Sequence, residues 1–289
     1  MKDKFCYLIA DSLGLEVQNR AHSGATVLSG SGPDDLITRS GYSSPVASGV
    51  ESATGEVPRS KPTILEQAAS FVGNPNSVGV ILVDGGINDV TLKNILDLSS
   101  PIQDLDRSIR QHCHREMVTL LKYIVARFSH SSCRIVVTGY FPILSRDSCL
   151  VNIPLLQKLL RVKGSRKARS RTASDLIVDR ALRFWHESDR LLAKSVKDVN
   201  DPRVRFVRSG FNSKNALFAT DPLLREPNVD PCLPHPQFPV YDSRYDQRGV
   251  ECKHYPQDLE NCLFCPIASL GHPLERGAQT YFNAIVPRL

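Results

Sequence analysis

Residues 78–90 read VGVILVDGGINDV, and the fold follows from how that stretch is read. Val78, Val80, Ile81, Leu82 and Val83 make a nearly unbroken apolar run. Strands on a half-exposed sheet alternate polar and apolar residues, so a continuous run suits a strand covered on both faces of a parallel sheet. Gly85 and Gly86 then permit a sharp turn, and Asn88 and Asp89 come directly after it. In open α/β sheets the ligand crevice lies beyond the carboxyl ends of the strands, which puts Gly86, Asn88 and Asp89 where a small molecule would sit. The plainer reading of the same residues is a strand end followed by a helix cap.

Working outward, Ile64, Leu65, Ala68, Phe71 and Val72 recur at helical spacing and predict a short amphipathic helix ending at Gly73-Asn74-Pro75. Downstream, Ile109, Cys113, Met117, Leu120, Leu121, Ile124, Val125 and Phe128 share one face of a helix expected from about Asp104 to Phe128. Adjacent residues point in different directions on a helix, so Cys113 is read as core and His112 and His114 as polar-face residues rather than ligands. A strand over Cys133–Thr138 leads to Gly139-Tyr140-Phe141-Pro142, where Tyr140 and Phe141 are placed to line a pocket. A second long helix is expected over Ala173–Val196, with Leu176, Ile177, Ala181, Leu182, Trp185, Leu192 and Val196 buried. Val204–Val207 gives a last short strand. The pattern reads as one α/β domain over residues 1–289, with loop insertions near 27–61, 161–172 and 221–260. Seven prolines between Asp221 and Pro256 bar helix and central strand from much of the last insertion.

Composition excludes more than it names. A chain of 289 residues that is 41% hydrophobic can bury one substantial core. The net charge of +6 arises from 36 basic and 30 acidic residues spread along the chain, with one cluster at Arg161–Arg171. That cluster has no interleaved aromatic residues and no nucleic-acid module around it, so it reads as a solvated loop and no nucleic-acid partner is expected. No apolar stretch approaches the ~18–20 residues needed to span a bilayer, and Phe5–Ala10 is too short for a signal-peptide core. Cys252, His254, Cys262 and Cys265 form a C-x-H-x7-C-x2-C array with ligand types that suit zinc. A lone C-x2-C with an irregular outer pair is a weak pattern, so a disulfide or free thiols are expected there, and no metal or organic cofactor.

Three stretches taken together say more. NRAHSGAT at 19–26, GGIND at 85–89 and GHPLERGAQTY at 271–281 resemble, in order, blocks II, III and V of the SGNH (GDSL-like) hydrolases. The resemblance implies a flavodoxin-like, three-layer α/β/α fold with a mainly parallel sheet of about five strands. It also implies hydrolysis of small-molecule carboxylic esters by a Ser nucleophile and a His base, through an acyl-enzyme intermediate. Carried over, the oxyanion donors are the Gly24 amide and the Asn88 side chain, and the base is His272. Where that family has Asp three residues before the His, this chain has Ser269, which implies a Ser-His dyad or help from another carboxylate.

The nucleophile is the departure from the pattern. Ala10-Asp11-Ser12-Leu13 looks like the G-D-S-L of the family, which would make Phe5–Ala10 a strand and Ser12 the nucleophile. Only 11 residues separate Ser12 from Gly24, whereas a helix and a second strand need ~15–20 between them. Leu13–Asn19 therefore reads as a helix end, a Gly cap and the second strand, with Ser12 in the last helical turn. On that reading the nucleophile segment and first strand lie upstream of Met1. The functional expectation is an ester hydrolase, with a non-catalytic binding or vestigial relative as its rival.

Overall fold

A computed structural model describes residues 4–28, 62–160, 162, 171–226 and 269–289. The chain is mixed α/β around a parallel sheet. Helix α1 (Phe5–Leu13) is followed by α2 (Ile64–Ala69), strand β1 (Val80–Val83), α3 (Ile87–Val90), α4 (Leu92–Leu96) and α5 (Ile102–Arg110). A π turn (Gln111–Glu116) joins α5 to α6 (Met117–Arg127). Then come β2 (Arg134–Thr138), α7 (Ile153–Leu159), α8 (Arg171–Val199), β3 (Val204–Val207) and α9 (Glu275–Ile285).

The strands lie in the order β1-β2-β3, all parallel, with Val80 opposite Arg134 and Ile135 opposite Val204. Parallel neighbours cannot be joined by a hairpin, so each connection must cross over; α3 to α6 make the first crossover and α7 with α8 the second. Ile135, Val136 and Val137 on the central strand are fully buried, as a run of β-branched residues under two covered faces should be. Helix α8 packs along α5, α6 and β3 and contributes Ile177, Val178, Ala181, Phe184 and Leu192 to the core. Leu176, expected inside, is 51% exposed. Phe184, one helical turn round from Ala181, is buried instead. Trp185 is half-buried and its indole N–H donates to the Tyr140 carbonyl at 2.9 Å. Likewise α2 stops at Ala69, and Val72 is exposed.

Two expectations about the amino-terminal region separate here. Residues 5–13 are helical, so Phe5–Ala10 is not a strand. Gly14 closes the helix in the left-handed region (φ 64°), and the Leu15 N–H reaches back to the Ala10 carbonyl at 2.9 Å, the Schellman arrangement that glycine permits. Residues 15–19, expected as a second strand, carry no strand pairing. The sheet of the described residues accordingly has three strands where about five were expected. An extended segment becomes a strand only through a hydrogen-bonded neighbour, and among the described residues β1 has one on the β2 side alone. Of the three insertions, residues 29–61 and 227–260 lie outside the described residues, as does nearly all of 161–170. No helix of the described residues is long and apolar enough to cross a membrane.

Candidate functional site

At the carboxyl end of β1 the chain turns through Gly85 and Gly86 and enters α3. Gly86 has φ 116°, a backbone setting that a side chain resists, and a Cβ there would also press on Cys113 Sγ. Helix α3 lasts a single turn before Thr91, a β-branched residue held at φ 66°. Such a residue is a real backbone outlier. The strained turn aims Asn88 outward and Asp89 inward.

Residues 22–28 form a strap that crosses this end of the sheet. The Asn88 side-chain amide donates to the Ala25 carbonyl at 3.1 Å, and both oxygens of Asp89 accept from the Val27 N–H at 3.1 and 3.2 Å. On its other side the strap is sewn to the start of α2, where the Ile64 N–H donates to Thr26 and the Leu65 N–H to Val27. A capping box of Thr63 and Glu66 fixes that helix start. Gly24, at φ 83°, makes the bend that brings the strap over α3. Asn88 and the segment of Gly24 are thus neighbours, although 64 positions apart in sequence.

Other expected residues are placed differently. Asp89, expected in an open pocket, is 5% exposed and ties down the strap. Gly86 is buried as well. Tyr140 is not a pocket wall: it is 2% exposed, and its hydroxyl accepts from the Ile87 N–H at 2.8 Å, which locks the start of α3 to the end of β2. Ser12 lies in the last turn of α1 with its hydroxyl donating to the Ile9 carbonyl at 2.8 Å, an interaction within its own helix. His272 sits in the Ser269–Leu274 loop, whose backbone pairs with Leu223 and Arg225 through three hydrogen bonds. The loop feeds α9, and the Tyr281 hydroxyl of α9 donates to the Gly139 carbonyl at 3.0 Å, so this helix reaches the same end of the sheet from the β2 side. The cysteines and histidine of the zinc-like array lie outside the described residues.

Comparison of the chain with family models, with curated proteins and with solved structures found no match. Chemistry at the site must therefore be read from its own groups.

Three groups at this end of the sheet were not placed in the site by sequence pattern. Asp84, the first polar residue after the apolar run, keeps solvent access but is crowded by protein, and desolvation raises its carboxyl to about 7. Solvent access screens part of that effect. Its charge acts on Cys113, Tyr140 and Tyr281, which places it among them. A carboxyl that titrates near neutrality is suited to give or take a proton. The other two are His112 and Glu116 of the π turn. His112 Nδ1 lies 3.0 Å from Glu116 Oε2 and 3.7 Å from Asp89 Oδ1, so His112 faces buried carboxylates rather than solvent, against its expected polar-face place.

The electrostatics of Asp89, His112 and Glu116 follow from their partial burial. Desolvation raises the Asp89 carboxyl to about 6, against the pull of His112 and the Val27 N–H. Burial disfavours the charge on His112, yet the hydrogen bond and charge of Glu116 outweigh it and lift the imidazole above its ordinary value. Burial also works against the Glu116 carboxylate, but hydrogen bonds from His112 and Gln111 hold it below the usual range. A signal for this turn was present in the sequence. Leu105, Ile109, Cys113, Met117 and Leu121 recur every fourth residue, and each step of four overshoots a 3.6-residue turn by about 40°. A wider π turn absorbs that drift and keeps all five buried.

Proposed function

We propose that the chain is an SGNH-type protein of flavodoxin-like, three-layer α/β/α architecture that binds small carboxylic esters or acyl groups, with Ser12 taking no part as nucleophile. The single observation that carries this reading is the Asn88 side-chain amide held against the Gly24 segment through the Ala25 carbonyl; the exclusion of Ser12 rests on its hydroxyl, which lies in the last turn of α1 and bonds to the Ile9 carbonyl. A serine nucleophile needs a base within hydrogen-bond reach. The acyl-binding part of the reading is supported by the meeting of the Gly24 segment with Asn88, whose amide uses one N–H on Ala25 and has a second for a carbonyl oxygen.

A second reading, an active ester hydrolase with His272 as base, is favoured by the same strap, since the Gly24 segment beside Asn88 is where two oxyanion donors would be needed for acyl transfer. Short-acyl p-nitrophenyl esters separate the two. On the first reading the full chain turns them over at background rate, while saturation-transfer NMR detects ester binding that weakens in Asn88→Ala. Turnover that survives Ser12→Ala and vanishes in His272→Ala would select the second. Robust turnover abolished by Ser12→Ala would overturn the assignment of Ser12.

A further inference from the structure

We infer that Asp89, His112 and Glu116 form a binding site for one divalent transition-metal cation of zinc type, which braces the strap over the end of β1. Three kinds of observation carry this, and none depends on the ester reading. The first is geometry. One ligand atom from each residue lies within 4.8 Å of the other two, and the two separations from His112 Nδ1, 3.0 and 3.7 Å, bracket the about 3.3 Å between neighbouring ligands of a tetrahedral ion with bonds near 2.0–2.1 Å. The two separations from His112 need shifts of only tenths of an ångström to close on an ion, and the two carboxylates are drawn together within the 4.8 Å that bounds the group.

The second is charge. Two carboxylates, with side chains 1% and 11% exposed, face one imidazole that is 19% exposed. With the imidazole neutral, as a metal ligand must be, the pair of carboxylates supplies two negative charges for a divalent ion to neutralise in a poorly solvated place. One imidazole and two carboxylates also make a mixed N/O set that suits a borderline cation better than calcium, which prefers oxygens alone.

The third is the support around the ligands. Asp89 is oriented by the Val27 N–H and Glu116 Oε1 by the Gln111 side-chain amide at 3.1 Å, the outer hydrogen bonding that steadies metal ligands. His112 and Glu116 both project from the π turn, and π turns in proteins concentrate at functional sites. Three protein ligands leave a fourth position for water, so the ion would not be closed off.

The test uses Co²⁺ added to the full chain after dialysis against a chelator. The expected result is one equivalent of Co²⁺ with weak visible bands of an N/O site and no thiolate charge-transfer band in the near ultraviolet. Binding should weaken at least tenfold in Glu116→Gln and in His112→Gln, and persist in the Cys262→Ser/Cys265→Ser double variant. Glu116→Gln keeps the size of the side chain and a partner for His112, so its fold, checked by melting without metal, distinguishes lost ligation from lost structure. No binding at equimolar Co²⁺, or binding that survives Glu116→Gln and disappears in the cysteine variant, would overturn the proposal.

Discussion

The carboxyl ends of β1 and β2 solve the same problem with different company. At each, a buried aspartate from a helix holds a loop amide: Asp89 of α3 takes the Val27 N–H, and Asp189 of α8 takes the Tyr140 N–H at 3.2 Å. Desolvation raises both carboxyls to about 6. Among the described residues the cation beside Asp189 is Arg208, 3.7 Å away and largely exposed. Asp89 instead shares a half-buried space with His112 and Glu116. A single clamp suffices to fix a loop. The β1 end carries titratable groups beyond that need, beside an outward-facing Asn88 and strained Thr91. The contrast teaches that one clamp fixes the loop at the β2 end, while the β1 end adds two coupled titratable groups and a strained backbone to the same device.

The largest effects should come from removing the two clamps. Asp89→Ala leaves the buried Val27 N–H unsatisfied and breaks up the trio, at a cost of about 2–4 kcal/mol, whereas Asp189→Ala should cost about 1–3 kcal/mol. Urea unfolding of both variants measures the difference. Equal losses would mean that His112 and Glu116 add nothing to the β1 clamp.

Smaller effects are expected from two glycines at the same two ends. A Cβ at Gly139 runs into Asp189 Oδ1 and crowds Phe206, so Gly139→Ala must displace the clamp itself, for about 1–3 kcal/mol. At Gly85 the obstacle is the Cδ1 tip of Ile64, which can rotate away, so Gly85→Ala should cost under about 1 kcal/mol. Thermal melting of the pair tests the order, and a reversal would show that the β1 turn is the more rigid of the two.

The smallest expected effect is a pH dependence, centred on Asp84. Its carboxyl is raised from 3.8 to about 7 in the folded chain, so the folded state binds the proton more tightly than the unfolded state does. The associated stability is present below about pH 4 and is lost as pH rises through about 7. Asp84→Asn removes the group, and should raise stability at pH 8 relative to the parent and flatten the profile between pH 5 and 8. Solvent access at Asp84 limits the size of the change. A parent and variant with parallel profiles would place Asp84 in open solvent and remove it as a proton donor or acceptor.

The sequence by itself determined the parts that local chemistry controls. The apolar runs at Val80–Val83, Arg134–Thr138 and Val204–Val207 are strands, because each fills a covered sheet whatever its neighbours are. Gly14 ends α1, as a glycine after the last periodic residue should, and the spacing from Ser12 to Gly24 was enough to read Ser12 as helical. What only the tertiary structure decided depends on partners distant in the chain. Residues 15–19 were read as a strand and form none, since pairing is a property of two segments. Tyr140 stands at the right edge of the sheet but turns its hydroxyl to Ile87, and Asp89 turns to Val27, because a buried amide across the turn offers each a bond. His112, read as a polar-face residue, joined Glu116 in a largely buried cluster only when α3 brought Asp89 over the π turn. Periodicity records which face of an element is apolar; which polar groups meet across the gap is fixed by packing.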